Sequence, residues 1–328
     1  MTRIRNGRFL VTGGAGFIGS HLVDALLAKG AARVAVVDNF FLGKDKNLEG
    51  ARSSHEGRLK IYRDDASNFH VMGAVCNDEK PDIVFNLATK ALAYSFFNPV
   101  GAFDVNPQLA LTCLELQRKG AFGKLVHLSS SEVYGTAQTV PMTESHPLLA
   151  ETTYAAGKAA ADLALMSFVR MFGADATIVR PFNNYGPRQN DQAFAAVIPL
   201  TVRRILRGEP PVLEGDGEQT RDFIYVFDTV GALLRVVEHD LPKGDVVNLG
   251  SGRETTIRSI VDGICEIMEY RGPVTHTPTR PADVRRHCAS VAKAESLIGP
   301  IARTSLQDGL AATIDWYRTE ADRRTAKP

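Results

Sequence analysis

Four cysteines in 328 residues are too few and too scattered to staple a fold. Cys76, Cys113, Cys265 and Cys288 show no C-x-x-C spacing, which argues against a zinc site or a secreted disulfide framework and fits reduced thiols in a cytoplasm. No His/Cys/Asp group has ligand spacing, so no metal is expected. An excess of one charge is lacking too. With 38 basic and 37 acidic side chains the formal net charge is +1, and no global field draws the chain to nucleic acid or a membrane surface. Any bound anion must be held by local groups. Apolar runs fall short of the ~18 residues of a membrane span, and the first strand-like run begins too soon after Met1 for a signal peptide's apolar core to precede it. Repeats and low-complexity tracts are also missing. A cytoplasmic location is expected.

What is present is 44% hydrophobic residues, enough for a large core over one big α/β domain or a large plus a small one. Strand-like runs at residues 9–12, 34–38, 59–63, 83–87, 124–129 and 176–180 alternate with helical stretches. That alternation predicts a doubly wound parallel sheet of the Rossmann type, in which ligands bind at the carboxyl ends of the strands. After residue 180 the pattern changes to polar, Pro/Gly-containing stretches between short apolar elements. The expected division is a cofactor-binding domain over 1–180 and a smaller C-terminal α/β substrate domain over 181–320, with some later elements returning to the sheet. Residues 319–328 read as a charged tail.

Residues 11–19, V-T-G-G-A-G-F-I-G, place Gly13, Gly16 and Gly19 between the first strand and the helix that Phe17 and Ile18 enter. Gly13 suits a tight turn, Gly16 lets backbone approach a pyrophosphate, and Gly19 lets helix and strand pack closely; the helix N-terminus then offers N–H groups to the phosphates. The next strand ends in Asp38, followed by Asn39, where a carboxylate can accept from ribose hydroxyls and would repel a 2′-phosphate. NAD is expected rather than NADP.

Tyr154 and Lys158 form Y-x-x-x-K, one turn apart on a helical stretch. A cation beside a phenol lowers its pKa, and a phenolate can take a hydroxyl proton as hydride leaves the same carbon. The fifth strand runs into S-S-S-E-V-Y-G, so three hydroxyls and the Glu132 carboxylate gather where chemistry is expected. With the glycine motif, these residues resemble the extended short-chain dehydrogenase/reductases that act on nucleotide-diphosphate sugars, the NAD-dependent epimerase/dehydratase family.

The resemblance runs over nearly the whole chain and implies roles residue by residue. Ser130 matches the catalytic Ser/Thr, Tyr154 the base, and Lys158 the lysine that holds the nicotinamide ribose. Asp65 and Ala66 resemble the pair at the adenine, and Leu87 and Ala88 line the cofactor after the fourth strand. Ser131 stands with the sugar-facing residues. Asn183, in R-P-F-N-N-Y-G-P-R, matches an asparagine on the sugar diphosphate, while Arg221 and Arg280 look like two arginines that grip it. Asn248, Leu249 and Gly250 resemble the family's N-x-G turn. A homodimer is implied, through helices around residues 106–117 and 154–170, whose Leu109, Leu111, Leu114, Leu116, Ala159, Leu163, Leu165 and Phe168 exceed what one core-facing stripe needs.

The expected mechanism is transient oxidation at C4 of the sugar, probed further by Glu132. Family 4,6-dehydratases carry Glu there, as do UDP-glucuronate decarboxylases, whereas simple 4-epimerases usually carry a small or hydroxyl residue. Glu132 therefore leans toward C5-proton chemistry of the 4,6-dehydratase kind on a UDP-hexose or UDP-hexuronate, with UDP-sugar 4-epimerase and UDP-glucuronate decarboxylase as alternatives. Outside the enzymes, an NAD-binding scaffold is the competing class. Arg188 could meet a substrate carboxylate or lie on the surface. His127 is expected to be packed within its strand and His287 to be solvated.

Overall fold

In a computed structural model describing residues 4–279 and 281–325, the six strand-like runs form β1 (Arg8–Thr12), β2 (Arg33–Asp38), β3 (Leu59–Arg63), β4 (Ile83–Asn86), β5 (Lys124–Leu128) and β6 (Ala176–Pro181). Between them run α1 (Phe17–Ala28), α2 (Lys46–Ser54), α3 (Phe69–Glu79), α4 (Pro99–Arg118) and α5 (Thr153–Phe172). Four short strands follow, β7 (Asn183–Tyr185), β8 (Val212–Glu214), β9 (Thr220–Arg221) and β10 (Phe223–Tyr225), and then β11 (Val246–Leu249). The main sheet has the order β11-β6-β5-β4-β1-β2-β3, with every pairing parallel, so one late element does return to it.

Strand alternation decides which side each residue covers. Phe9, Val11, Val36, Phe85 and Val247 point to one face and pack on α1 and on α7 (Val226–Glu238), whereas Leu10, Ala35, Val37, Val84 and Ile178 point to the other, under α3, α4 and α5. Both faces are buried, which is why these strands read as continuous apolar runs. A separate apolar cluster joins α6 (Val197–Leu206), α8 (Ile257–Ile267) and α10 (Leu306–Thr325) to Tyr185 and Phe223, with α9 (Ala292–Ile298) back against β11. No helix among the described residues is long and apolar enough to cross a membrane.

Most of the apolar residues counted on α4 and α5 are core residues. Leu109, Leu114, Leu116 and Leu165 are buried, because α4 and α5 spend those positions on the sheet and on each other, and Ala159 is buried against Tyr134, Met142 and Phe182. Leu111 and Leu163 stay outside, 42% and 60% exposed, as do Met171 and Phe172 at the end of α5.

Candidate active site

Two clefts open side by side at the carboxyl end of the sheet. The first, of about 340 Å³, is lined by Gly13, Gly16, Phe17, Ile18 and Gly19, then by Asp38, Asn39, Asp65, Ala66, Leu87 and Ala88, and finally by Ser130, Tyr154 and Lys158. All of the residues that the sequence assigned to a cofactor therefore line one cavity. The glycine turn has room for nothing larger. Gly13 has φ +69°, and a Cβ on it would lie 2.8 Å from the Ala88 backbone; a Cβ on Gly19 would overlap the Gly13 carbonyl. Gly16 caps α1 without a side-chain bond, and no acidic residue occupies the first turn, so that N-terminus is open to an anion.

The strand ends supply the polar groups. Asp38 is buried; its carboxylate accepts from the Ala15 N–H at 2.9 Å and the Phe40 N–H at 2.8 Å, and burial pushes its pKa up against those two bonds. Burial acts the same way on Asp65, but bonds from Ser67 and Asn39 and the Lys90 charge win, holding it below the ordinary carboxylate range. These features fit an adenosine ribose held between the ends of β2 and β3.

Thr152 caps α5 by accepting the Ala155 N–H at 3.2 Å, and the Tyr154 N–H is taken by the Ser95 hydroxyl at 3.0 Å. This fixes Tyr154 in the first turn and Lys158 one turn on. Lys158 is buried, and its ammonium donates to the Leu128 carbonyl at 2.8 Å. Desolvation lowers it to about 8 even though the Asp162 charge works in the opposite direction. Tyr154 departs from expectation. Its phenol is pushed up to about 12 by burial, hydrogen bonds with Ser130 and Thr89 pull it down, and the Glu132 charge raises it. Lys158 is not among the groups that lower it, since its nitrogen is turned to the carbonyl of β5.

The second cleft, of about 570 Å³, holds Glu132, Asn183 and Arg221. Ser130 caps a short 3-10 segment, Ser131–Tyr134, by accepting the Glu132 N–H at 3.2 Å, which turns the sequence toward this cleft. Asn183 sits where β7 pairs with β10. Arg221 is already engaged: it pairs with Asp283 at 2.7 Å and donates to the Val284 carbonyl at 2.6 Å. Phe17, Leu42, Ala91, Asn184 and Asn190 line both clefts and so form their common wall.

Three expectations change. Ser131 lines neither cleft; it is buried, its hydroxyl 3.5 Å from His287 Nδ1. Arg188 belongs to the first cleft rather than the second and forms an ion pair with Asp24 of α1 at 2.7 Å. His287 is fully buried, not solvated, because the segment that directly follows it is bridged to Met142, Met142 N–H to Cys288 O and Ser290 N–H to Met142 O, each 2.8 Å. Burial, then the Arg221 charge, lowers His287 to about 3. Arg280 lies outside the described residues. His127 is packed as expected, its Nδ1 3.0 Å from Asn86. Asn248 is also buried and accepts from the Tyr134 hydroxyl at 2.8 Å.

Thr89, Lys90 and Asn190 line the first cleft without having been anticipated. Thr89 and Lys90 directly follow Leu87-Ala88, so extending that strand end by two residues finds them. Asn190 comes from a segment whose placement depends on tertiary contacts and carries no comparable signal.

Comparison with known proteins agrees with this architecture. A family model described as GDP-mannose 4,6 dehydratase matches residues 10–313. UDP-glucose 4-epimerase of Mycolicibacterium smegmatis is 32% identical over 316 residues, covering 96% of this chain and 99% of its own. UDP-glucuronic acid decarboxylase 6 of Arabidopsis thaliana is 32% identical over 320 residues, covering 95% and 89%. Among solved structures, a dTDP-glucose 4,6-dehydratase from Streptomyces venezuelae with NAD bound superposes with TM-score 0.90 at 30% identity, covering 96% of this chain and 98% of that one.

Proposed function

The chain belongs to the extended short-chain dehydrogenase/reductases of the nucleotide-sugar epimerase/dehydratase family, and from that premise we propose that it is an NAD-dependent enzyme that transiently oxidises C4 of a nucleotide-diphosphate hexose, with Glu132 addressing C5. UDP is the favoured nucleotide, as in the epimerase and decarboxylase relatives. The observation that carries this reading is the meeting of the two clefts at one set of groups: Tyr154 and Ser130 face the first, Glu132 faces the second, and the Glu132 charge acts on the Tyr154 phenol.

NAD, when bound, supplies the two-electron acceptor for C4. Gly13, Gly16 and Gly19 with the α1 N-terminus would hold its pyrophosphate, Asp38 a ribose, and Lys158 the second ribose. Tyr154 Oη takes the proton of the sugar 4-hydroxyl, and Ser130 holds that hydroxyl in line. A phenol at about 12 is poorly ionised near neutrality, so proton removal requires extra positive charge near Tyr154 or neutralisation of Glu132. Once C4 is a ketone the C5 proton is acidic, and Glu132 is the carboxylate placed to take it. Asn183 and Arg221 would bind the diphosphate; Asp283 would orient the Arg221 guanidinium rather than leave it mobile.

Sugar 4-epimerase is the second reading, and Ser131 favours it. Elimination of a C6 hydroxyl needs an acid beside the base, but the residue before Glu132 is a serine turned inward to His287. A uronate is less favoured than a neutral hexose. Among the described residues of the second cleft, Arg204 and Arg221 are paired with Glu209 and Asp283, while Glu132 and Glu214 add negative charge. Mass and NMR analysis of products from UDP-glucose, UDP-GlcNAc and UDP-glucuronate tests these readings. Loss of water marks dehydration, loss of carbon dioxide marks decarboxylation, and unchanged mass with inverted C4 marks epimerisation. No product and no reduced cofactor would leave the scaffold reading.

The division into a cofactor half, 1–180, and a sugar half, 181–320, is supported by the second cleft's lining, most of which follows residue 181. The four free thiols support a cytoplasmic location. Leu111, Leu163, Met171 and Phe172, exposed on α4 and α5, support a homodimer through those helices; a monomer by light scattering at micromolar concentration would count against it.

A further inference from the structure

Beneath Lys158 lies a buried ionic network that the proposed chemistry does not use. Asp162 stands one turn farther along α5, on the same face, and is 1% exposed. Its Oδ2 accepts from Nε of Arg180, in β6, at 2.9 Å; the same guanidinium donates to the Tyr134 hydroxyl at 2.9 Å. Oδ1 turns toward the His127 ring of β5, whose Nε2 is 3.9 Å away, and the Ser129 hydroxyl acts on the same carboxylate. His127 and Tyr134 add no charge here, because burial holds the imidazole neutral and the phenol protonated. Glu144 lies farther out, bonded to the Asn248 N–H at 2.9 Å.

A helix-to-sheet contact needs only the Arg180–Asp162 pair, and a buried lysine placed beside it raises the cost of burial unless its charge is used. The geometry shows how. Arg180 takes one Asp162 oxygen at hydrogen-bond distance, while the Lys158 ammonium donates to Leu128 and lines the cofactor cleft. Burial raises the pKa of the Asp162 carboxyl, while the Arg180 charge, hydrogen bonds from Ser129 and Arg180 and the Lys158 charge draw it back toward the ionised form; the anion so held acts on the ammonium through its field, and the remaining Lys158 N–H groups stay available on the cleft side.

We propose that Asp162, held by Arg180, is a positioning residue whose fixed negative charge keeps Lys158 protonated with donors to spare for the cofactor. The proposal rests on the assignment of Lys158 to the cofactor site. Asp162→Asn retains the shape and can still accept from Arg180. In this variant the alkaline limb of kcat/KM should move to lower pH by about one unit or more, and the pH midpoint for trace acetylation of Lys158, read by mass spectrometry of its peptide, should move the same way. Asp162→Glu restores the charge and should return both toward native values. An activity profile that is scaled but not shifted, with an unchanged Lys158 midpoint, overturns the proposal. If the Asn variant does not fold, Asp162→Ser takes its place: with the carboxylate gone the Lys158 midpoint should still move to lower pH, whereas a purely structural Asp162 leaves it fixed. Added NAD should protect Lys158 from acetylation in the native protein. Lack of protection would refute the cofactor assignment, separately from any effect of Asp162.

Discussion

Lys44 and Asp191 meet at 2.9 Å, and this ion pair ties the loop after β2 to the segment between β7 and α6 that forms the wall common to both clefts. Asp191 is nearly buried, while Lys44 keeps about a third of its side chain in solvent, 35%. The same two regions also meet through rings: Tyr94 stacks edge-on against Phe41 and against Phe194, each at 5.4 Å, and the Lys90 ammonium sits 3.2 Å over Phe41. Lys44→Met should therefore loosen the wall. The expected result is faster loss of NAD during gel filtration and a stability decrease of about 1–3 kcal/mol in urea unfolding. Unchanged retention would detach this pair from the cofactor.

The glycine turn makes a sharper demand. Gly13→Ala places a Cβ against the Ala88 backbone at a φ of +69°, a conformation that alanine adopts only under strain. Stability should fall by about 1–3 kcal/mol, and NAD content of the purified protein should fall with it. Asp38→Ala, which leaves the turn intact, should weaken retention with a smaller loss of stability; preferential retention of NADP by the native protein would refute the reading of Asp38.

These cofactor residues were legible because each lies at a strand end or in a turn whose spacing is fixed by local geometry. The sheet was legible for the same reason, since strands buried on both faces leave continuous apolar runs. His287 was not. Its preceding neighbours Arg285 and Arg286 remain exposed and pair with Asp216 and Glu254, and only the bridge from Met142 to Cys288 and Ser290 shows that the chain turns inward after them. The engagement of Arg221 by Asp283 was hidden likewise, because 62 residues separate the partners. The helix faces carry a weaker signal for a different reason: α4 and α5 pack on the sheet and on each other, so apolar residues at helical spacing divide between core positions such as Leu109 and Leu165 and exposed ones such as Leu111 and Leu163.

Burial of His287 gives a pH dependence with a defined sign. Its folded pKa, about 3, lies below the ordinary 6.5, so as pH falls through 6.5 the unfolded chain binds a proton that the folded chain refuses. The contribution is fully present above that value and is lost progressively between 6.5 and about 3. His21, lowered to about 4 chiefly by burial, acts in the same direction. Melting temperature should fall across this acid range, and His287→Gln should make the fall shallower. Parallel native and variant curves would show that His287 does not carry the effect.

Tyr154→Phe removes the hydroxyl that bonds with Ser130 and Thr89 but keeps the ring. Turnover should fall by about 10²–10⁴, with nucleotide-sugar affinity nearly unchanged, because the hydroxyl acts in the transition state more than in binding. Isothermal titration alongside kinetics separates the two. Near-native turnover would remove Tyr154 from the chemistry.

Glu132 separates the leading reactions through one carboxylate. If it takes the C5 proton, Glu132→Gln should still permit oxidation at C4, so reduced nicotinamide absorbance should build up on adding substrate while product formation stalls. The native enzyme in deuterated solvent should then place deuterium at C5. An epimerase that inverts C4 alone needs no exchange there. A Glu132 that only hydrogen-bonds a sugar hydroxyl predicts a third pattern, a raised KM with the course of reaction unchanged. The same substitution also bears on Tyr154: removing the negative charge that raises its phenol should lower the pKa of that group, so any step limited by Tyr154 ionisation should shift its pH dependence to lower pH. C4-inverted product of unchanged mass, without deuterium at C5, would overturn the C5-base reading and leave the epimerase standing.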